Sequence, residues 1–337
     1  MTTATLTGKP VTIDGLNCAA VSREQVLRTL QGGVSAVNLT SMSPFIGLTE
    51  SLLELEENRS KIEGMADVAA VVTSVAEIDQ AHAAGKLGFI LGTQNSMMIE
   101  DDLRLLATFR RLGVRILQPT YNEENKLGHG APFEGEADRG LTELGRAWID
   151  EMTRLRLIID LSHCGHRSTT EYLNAARGPV VISHANAFAV CPSLRNKTDD
   201  HIRAVAATGG LIGAVMWSPA VRHDLRPTLD DYLNHVDHMV NIGGIEHVAF
   251  ASDVTEGQVP SPEKWDNSYG PNGYSPNITG VLGDWYVYET RLNVDFQSLT
   301  HTPRIWDGLK SRGYSEDAIE KIRGGNWLRV MRDVWGE

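Results

Sequence analysis

Short apolar runs recur along most of the chain and alternate with stretches in which apolar residues return at helical spacing. The runs are rich in valine and isoleucine, lack strict alternation, and are bounded by glycine, proline or polar residues, as strands buried on both faces are. They predict nine strands, near residues 11–15, 35–41, 68–73, 88–93, 114–120, 157–162, 179–183, 211–217 and 247–252.

The stretches between the runs predict amphipathic helices. Apolar residues return every three or four positions in 101–112, which Gly113 ends, and again in 142–152 and 168–176. Two more helices are predicted over 315–323 and 326–335, separated by a break at Gly324 and Gly325. Eight or nine strand–helix units in one run predict an α/β fold, a single (β/α)8 TIM barrel. An open, doubly wound sheet is the alternative, but no Gly-x-Gly-x-x-Gly follows the first strand.

Residues 254–300 interrupt this alternation. They hold four prolines and seven of the chain's 22 aromatic residues, with little periodicity. A long loop after the last strand of a barrel is usually functional. We therefore expect a single domain over 1–337, in which 254–300 is an insertion that forms a lid, a pocket wall or a subunit contact. A packed excursion along the side of the barrel is the alternative.

Composition narrows the class of partner. The 337 residues are 42% hydrophobic and 22% charged, as in a globular protein with a large core. The net charge of −12, without a Lys/Arg cluster, argues against nucleic acid and anionic membrane as partners. The N-terminal sequence has no signal-peptide pattern, and the three cysteines are widely spaced. We expect a cytoplasmic protein that binds a small molecule.

Two histidines stand at the downstream ends of neighbouring predicted strands. His163 follows the run 157–162, and His184 follows the run 179–183. In a β/α barrel the carboxyl ends of the strands form the rim that carries the active site. Two imidazoles at matching positions there predict a metal site, and hydrogen-bonded core histidines are the alternative.

Other residues that carry chemistry also follow predicted strands. They are Cys18, Gln94, Tyr121, Asn122 and Asp253. An aspartate at the end of the last strand can take a proton from a metal-bound water as general base, although such a residue can also cap a turn. Zinc lowers the pKa of bound water towards neutrality. Together with the two histidines, this set indicates a hydrolytic metal site.

Longer stretches resemble the membrane (renal) dipeptidase family, a branch of the amidohydrolase superfamily. The strongest are Asp160-Leu-Ser-His163, Pro179-Val-Val-Ile-Ser-His184-Ala-Asn and Arg195-Asn-Lys-Thr-Asp199. The likeness runs from Ile13-Asp-Gly15 to the C-terminal Gly-Gly-Asn-Trp-Leu-Arg-Val. It implies a (β/α)8 barrel of the metal-dependent hydrolase type, a zinc centre at the strand ends, cleavage of dipeptides and a homodimer.

The resemblance also implies residue roles. His163 and His184 match the family's two histidine ligands, and Asp253 matches an aspartate that serves as ligand and base. Arg195 matches the arginine that binds the substrate's carboxylate, a role that suits the bidentate guanidinium.

The chain departs from the family's pattern at the remaining positions. The family's Asp-Gly-His-x-Asp is replaced by Asp14-Gly-Leu-Asn-Cys18, and its bridging glutamate by Gln94. Its substrate-polarising histidine is replaced by Tyr121, whose phenol can still donate a hydrogen bond to a developing oxyanion. Too few ligands remain for two metals, so we expect one zinc per chain. Cys18 is an alternative soft ligand.

The expected site is therefore defined by role. The metal ligands are His163, His184, Gln94 and Asp253; the catalytic residues are Asp253 and Tyr121; the substrate-binding residues are Arg195, Tyr121 and Asn122.

Three functions are consistent with these residues. The first is a dipeptidase-like hydrolase with a single metal, which cleaves an amide bond in a dipeptide or a similar small carboxylate-bearing substrate. The second is a repurposed relative that acts on a non-peptide small molecule, which the polar cluster at 122–125 and Glu134 would contact. The third is a metal-free binding protein or pseudoenzyme that holds a ligand in the barrel mouth.

Overall fold

A computed structural model of the chain describes residue 6 and residues 8–258, 261–269 and 285–336. The middle of the expected insertion, with Pro260, Pro271, Tyr274 and Pro276, lies outside the described residues.

Each predicted apolar run overlaps a strand. The strands are β1 (Ile13–Asn17), β2 (Ala36–Thr40), β3 (Ala69–Val71), β4 (Leu87–Thr93), β5 (Val114–Leu117), β6 (Ile158–Asp160), β7 (Val180–Ile182), β8 (Leu211–Val215) and β9 (Val248–Ala251). All their pairings are parallel.

Eight of these strands form a barrel, in the order β1-β2-β4-β5-β6-β7-β8-β9. Strand β3 lies outside this order and pairs only with the first half of β4. The chain closes the ring just beyond β1 and β9, where the N–H of Cys18 donates to the carbonyl of Val254 and the N–H of Asp253 to that of Leu16, each at 3.0 Å. The predicted (β/α)8 barrel is therefore confirmed, and the open sheet is excluded.

Helices separate the strands and follow the last one. They are α1 (Arg23–Gln31), α2 (Leu48–Glu63), α3 (Val75–Ala83), α4 (Arg104–Arg111), α5 (Glu143–Arg154), α6 (His166–Ala175), α7 (Asp199–Ala207), α8 (Ser218–Val221), α9 (Leu229–Gly243), α10 (Pro262–Tyr269), α11 (Pro303–Ser311), α12 (Glu316–Glu320) and α13 (Asn326–Trp335). No helix in the described ranges is long and apolar enough to cross a membrane.

The last helix fills one end of the barrel. One buried cluster takes a residue from each barrel strand, such as Ile90 of β4 and Ile158 of β6, and adds Trp327, Val330 and Met331 of α13. Only the barrel interior brings all eight strands together, so α13 packs under it. The opposite, carboxyl rim is left for a functional site.

The predicted break at Gly324 and Gly325 is wrong. These residues belong to a π-helical turn, Lys321–Gly325, that leads from α12 into α13. A Cβ on Gly324 would lie 2.4 Å from the carbonyl oxygen of Val11. The glycine is therefore needed for close backbone approach, not to end a helix.

Candidate active site

Asp160 joins the two turns that carry the candidate metal ligands. Its carboxylate, buried at the end of β6, accepts hydrogen bonds from the hydroxyl and backbone N–H of both Ser162 and Ser183, at 2.5–3.0 Å. His163 and His184 directly follow these serines. Both imidazoles are thereby held side by side at the rim, with their Nε2 atoms 3.0 Å apart.

Ser183 determines which nitrogen of His184 carries the proton. The single hydroxyl proton of Ser183 is donated to Asp160 at 2.6 Å. The serine oxygen therefore accepts the 2.7 Å hydrogen bond from Nδ1 of His184. With the proton on Nδ1, the Nε2 atom of His184 presents a lone pair to His163.

Arg195 determines which nitrogen of His163 carries the proton. A guanidinium only donates, and Nη2 of Arg195 lies 3.1 Å from Nε2 of His163, so this nitrogen also carries a lone pair. Nδ1 then holds the proton and donates it to Oδ1 of Asn122 at 2.7 Å. The amide nitrogen of Asn122 is buried and has no hydrogen-bond partner in the described part of the chain.

Gln94 brings a third acceptor to the same point. Its Nε2 donates to Oγ1 of Thr40 at 2.9 Å and to Sγ of Cys18 at 3.3 Å. This orientation turns Oε1 towards Nε2 of His163, at 2.9 Å. Two imidazole lone pairs and one amide oxygen therefore converge beside the Arg195 guanidinium, an electron-rich arrangement that a metal cation would stabilise.

Both imidazoles are neutral. Burial lowers the pKa of His163 and of His184 well below the usual 6.5, and the positive charges of Arg195 and Lys197 lower it further. A neutral imidazole is the form of histidine that binds metal ions.

One divalent ion fits this set of atoms. Two nitrogen ligands of a tetrahedral zinc lie roughly 3.3 Å apart, given Zn–N distances of about 2.0–2.1 Å. The 3.0 Å between the Nε2 atoms of His163 and His184 therefore needs only a small shift. Within the described ranges no group of three or more His, Cys, Asp and Glu side chains is placed to hold a metal.

Cys18 connects Asp253 to Gln94, because its sulfur atom contacts both side chains. Oδ1 of Asp253 accepts a hydrogen bond from Sγ of Cys18 at 3.6 Å, and among the described residues no hydrogen bond or ion pair joins Asp253 to either histidine. Burial raises the pKa of Asp253 to about 7, although Arg195 opposes the rise. A carboxyl group of this kind exchanges protons readily near neutral pH.

Cys18 is a neutral thiol in this environment. Burial, followed by the negative charge of Asp253, raises its pKa well above the usual 9.0. The thiolate is the form of cysteine that binds metals. The geometry therefore favours Cys18 as a hydrogen-bonding neighbour of Gln94 over Cys18 as a soft ligand.

Tyr121 covers the ring of His163. The two rings stack with centroids 4.1 Å apart and an interplanar angle of 25°. Phe45 meets Tyr121 edge-on, with ring centroids 5.2 Å apart. The phenol is thus held by packing next to the three converging acceptors.

Arg195 is a buried cation, only 6% exposed. It donates to the carbonyl of Ser162 and to His163, and no carboxylate of the described residues lies within ion-pair distance. A buried charge is costly unless it is paired. A carboxylate ligand would supply the missing partner.

Lys197 is a second buried basic side chain without a carboxylate partner in the described part of the chain. Its Nζ donates to the carbonyl of Cys164 at 2.7 Å and to Oγ1 of Thr169 at 3.1 Å. Because Cys164 follows His163, this contact anchors the turn that carries the histidine.

The structure thus gathers most of the expected residues and adds others. His163, His184, Gln94, Asn122, Tyr121 and Arg195 share one cluster, and Asp253 borders it. Sequence reasoning missed the roles of Asp160, Ser183, Thr40 and Lys197. The sequence did offer a signal for Thr40. It ends β2, which lies between β1 and β4 in the barrel, and candidate residues had been assigned at the ends of both of these neighbours. In the polar cluster at 122–125 and Glu134, Glu124 is exposed and forms an ion pair with Arg139.

Comparison with known proteins agrees with this architecture. The profile of the Membrane dipeptidase family (Peptidase family M19) matches residues 28–270. An uncharacterized protein from the pqqA 5′ region of Klebsiella pneumoniae is 29% identical over 270 residues, covering 78% of this chain and 88% of that protein. The dipeptidase aclJ of Aspergillus oryzae is 27% identical over 272 residues, which cover 80% of this chain but 57% of that longer protein.

Solved structures share the whole fold. An amidohydrolase from Pseudomonas aeruginosa superimposes with a TM-score of 0.88 at 29% identity, covering 100% of both chains. A metallo peptidase from Rhodobacter sphaeroides, liganded with a phosphinate mimic of the dipeptide L-Ala-D-Ala, gives a TM-score of 0.77 at 21% identity, covering 97% of this chain and 99% of that one. At that identity, the likeness shows the fold alone.

Proposed function

Because this chain belongs to the membrane dipeptidase family (peptidase family M19), we propose that it is a metal-dependent hydrolase. Its substrate is a dipeptide or a similar small amide that carries a carboxylate. The observation that supports this most strongly is the convergence of two imidazole lone pairs and one amide oxygen beside a buried, carboxylate-free guanidinium.

His163, His184 and Gln94 would hold one metal ion, and Asp253, which is connected to Gln94 through Cys18, would be the fourth ligand. A bound divalent ion would polarise the scissile carbonyl and make a water molecule more acidic. Asn122 and the pair of Ser183 and Asp160 fix the two rings so that the lone pairs on Nε2, not those on Nδ1, are free for it.

Arg195 binds the substrate carboxylate. Its guanidinium has no carboxylate partner among the described residues, and it lies within 3.1 Å of the candidate metal-binding nitrogen of His163. A carboxylate held there lies a short distance from the reacting amide, as in an amino acid whose nitrogen is acylated. The unpartnered amide nitrogen of Asn122 supplies a further donor to the substrate.

Asp253 and Tyr121 supply the proton transfer and the charge stabilisation. Asp253 takes the proton of the attacking water on a carboxylate oxygen and passes it to the leaving nitrogen. Tyr121, stacked on His163, donates its phenolic hydrogen bond to the oxygen on which negative charge develops. The products are a carboxylic acid and a free amino acid.

The proposal includes one zinc ion per chain, a cytoplasmic location, a homodimer, and a single domain in which 254–300 forms a lid or a subunit contact. Zinc suits a site of two imidazoles with open positions. All three cysteines are free thiols, in keeping with a reducing compartment.

The test is metal content per chain, measured by plasma mass spectrometry on protein purified without chelator or added metal. We expect about one ion in the wild type and none in His163→Ala, and then hydrolysis in a screen of L,L- and L,D-dipeptides, N-acyl amino acids and lactams. A protein that takes up no metal after reloading and hydrolyses none of these would be a binding protein instead.

A further inference from the structure

The turn that carries His163 is held by donors from distant segments of the chain. The carbonyl oxygens of residues 162, 163 and 164 each accept one hydrogen bond from such a donor. The donors are, in that order, the guanidinium of Arg195, the backbone N–H of Ala131 and Nζ of Lys197, the last two at 2.7 Å. The backbone on both sides of the imidazole is therefore fixed from outside its own strand.

Lys197 makes its contact with this turn as part of a closed network. Its Nζ also donates to Oγ1 of Thr169 at 3.1 Å, and the hydroxyl of Thr169 donates to the carbonyl of Cys164 at 3.2 Å. Three groups thus meet on the one carbonyl that directly follows His163. All of them are fully buried, so water cannot replace a donor that is removed.

The backbone of Lys197 belongs to a different part of the site. Its N–H donates to the carbonyl of Asn186, and its carbonyl accepts a hydrogen bond from the N–H of Phe188, each at 2.9 Å. These two residues lie just after His184. Lys197 is therefore fixed to the turn of His184 by its backbone and to the turn of His163 by its side chain.

The two histidine turns are in this way joined at two places. Asp160 binds the serines that precede the histidines, and Lys197 joins the residues that follow them. One link alone would leave the two turns free to rotate about it. Two links, one on each side of the imidazoles, fix their separation and their relative orientation.

We propose that Lys197 is a positioning residue, which sets the distance between the imidazoles of His163 and His184 and so preorganises the metal site. The inference rests on the proposed function, in which both imidazoles bind one ion. Arg195 also holds the turn of His163, but the proposed function assigns its guanidinium to the carboxylate of the substrate. Lys197 is completely buried and keeps its contact whether or not substrate is bound.

The test measures the binding of cobalt(II) to Lys197→Met at about pH 8.5. Burial lowers the pKa of Lys197 to about 7, so at this pH the substitution removes the hydrogen bonds but hardly any charge. Competition with a chelator should show an affinity at least about tenfold weaker than that of the wild type. The visible absorption bands of the bound cobalt should also change, because they depend on the arrangement of the ligands.

Variants of the same helix provide the controls. Thr169→Val removes the hydroxyl from the network and should also weaken cobalt binding, whereas Thr169→Ser keeps the hydroxyl and should bind as the wild type does. Tyr172→Phe removes another buried hydroxyl of α6, which donates to the carbonyl of Leu127 at 2.9 Å. This control should lose stability but keep the cobalt affinity and spectrum. Wild-type affinity and spectrum in Lys197→Met would overturn the proposal.

Failure of this inference is distinguishable from failure of the proposed function. A wild type that binds metal and hydrolyses amides, together with a Lys197→Met variant that binds metal equally well, would refute the positioning role alone. If the wild type binds no metal, nitrogen NMR of labelled histidine decides. Signals of His163 and His184 that shift in Lys197→Met but not in Tyr172→Phe support the positioning role, and unchanged signals refute it.

Discussion

Nη2 of Arg195 donates a hydrogen bond to the lone pair on Nε2 of His163, 3.1 Å away. That lone pair is the one a metal ion at this site requires. The guanidinium and a metal ion bound at this site would therefore compete for one nitrogen, and their positive charges would repel each other. A carboxylate that draws the guanidinium towards itself releases His163, so that binding of substrate carboxylate and binding of metal favour each other.

Arg195→Met should bind zinc or cobalt(II) more tightly than the wild type does. The lost hydrogen bond from a charged group is worth about 1.5–3 kcal/mol, which predicts a gain of about tenfold or more. Competition with a chromogenic chelator measures the affinity. Added N-acetylalanine should tighten metal binding in the wild type and leave Arg195→Met unchanged; unaltered metal affinity in this variant would refute the competition.

Ser183→Ala should weaken metal binding by about 10–100-fold, because the ring of His184 loses the acceptor that fixes its orientation. Thr170→Ala is the matched control. Its hydroxyl makes a similar 2.9 Å contact with His201, away from the candidate metal ligands, so its removal should leave metal affinity as it is. Equal losses in the two variants would mean that the effect is one of general stability.

Gln94→Glu should increase metal affinity without increasing metal stoichiometry. A carboxylate is a stronger ligand than an amide oxygen, but Leu16 and Cys18 still stand where a second ion would need its ligands. We expect about one ion per chain by plasma mass spectrometry, held at least about tenfold more tightly. Two ions per chain would show that another residue completes a second site.

Asp253→Asn separates the two roles proposed for this residue. An amide keeps an oxygen that can bind a metal but cannot take up the proton of the attacking water, so kcat should fall by about 10²–10⁴-fold while the metal content stays the same. A variant that loses its metal would show that the ion requires the negative charge of Asp253.

Lys197 should make stability depend on pH. Burial lowers its pKa from 10.5 to about 7. Between these two pH values the unfolded chain binds a proton that the folded protein does not, so the free energy of unfolding rises with pH across this interval. The cost of the buried charge is fully present below pH 7.

Chemical denaturation from pH 6 to pH 10.5 measures the free energy of unfolding of the wild type and of Lys197→Met. The difference between the two proteins at each pH is the contribution of Lys197. We expect the wild type to gain up to about 5 kcal/mol relative to the variant over this range. A difference that does not change with pH would mean that the lysine keeps its usual pKa.

The strands were predictable because parallel strands covered on both faces require continuous apolar runs. The residues at which the strands end were harder to predict. The run 157–162 predicts a strand up to Ser162, but β6 ends at Asp160, whose side chain takes up the N–H of Ser162 at 3.0 Å and so replaces sheet pairing with a turn. Such competition between side chain and backbone leaves no trace in hydrophobic spacing.

The sequence predicted that His163, His184 and Gln94 lie together, because strand ends in a barrel share one edge, and the three side chains are in contact. It did not predict how their side chains orient one another. The hydrogen bond from Arg195 to His163, and the turning of Gln94 by Thr40 and Cys18, depend on rotamers and on packing between distant segments. The close approach of Gly324 to Val11 is of the same kind.

The contact between Cys18 and Asp253 joins positions 235 residues apart. A nascent chain that has not yet emerged as far as β9 already contains both histidines and Gln94, yet it has no carboxyl group beside Cys18 and no closed ring. Contacts of such long range form late in folding. The residue proposed to transfer protons therefore joins the proposed metal ligands only when the ring closes, and a chain truncated before β9 is expected to have no hydrolase activity.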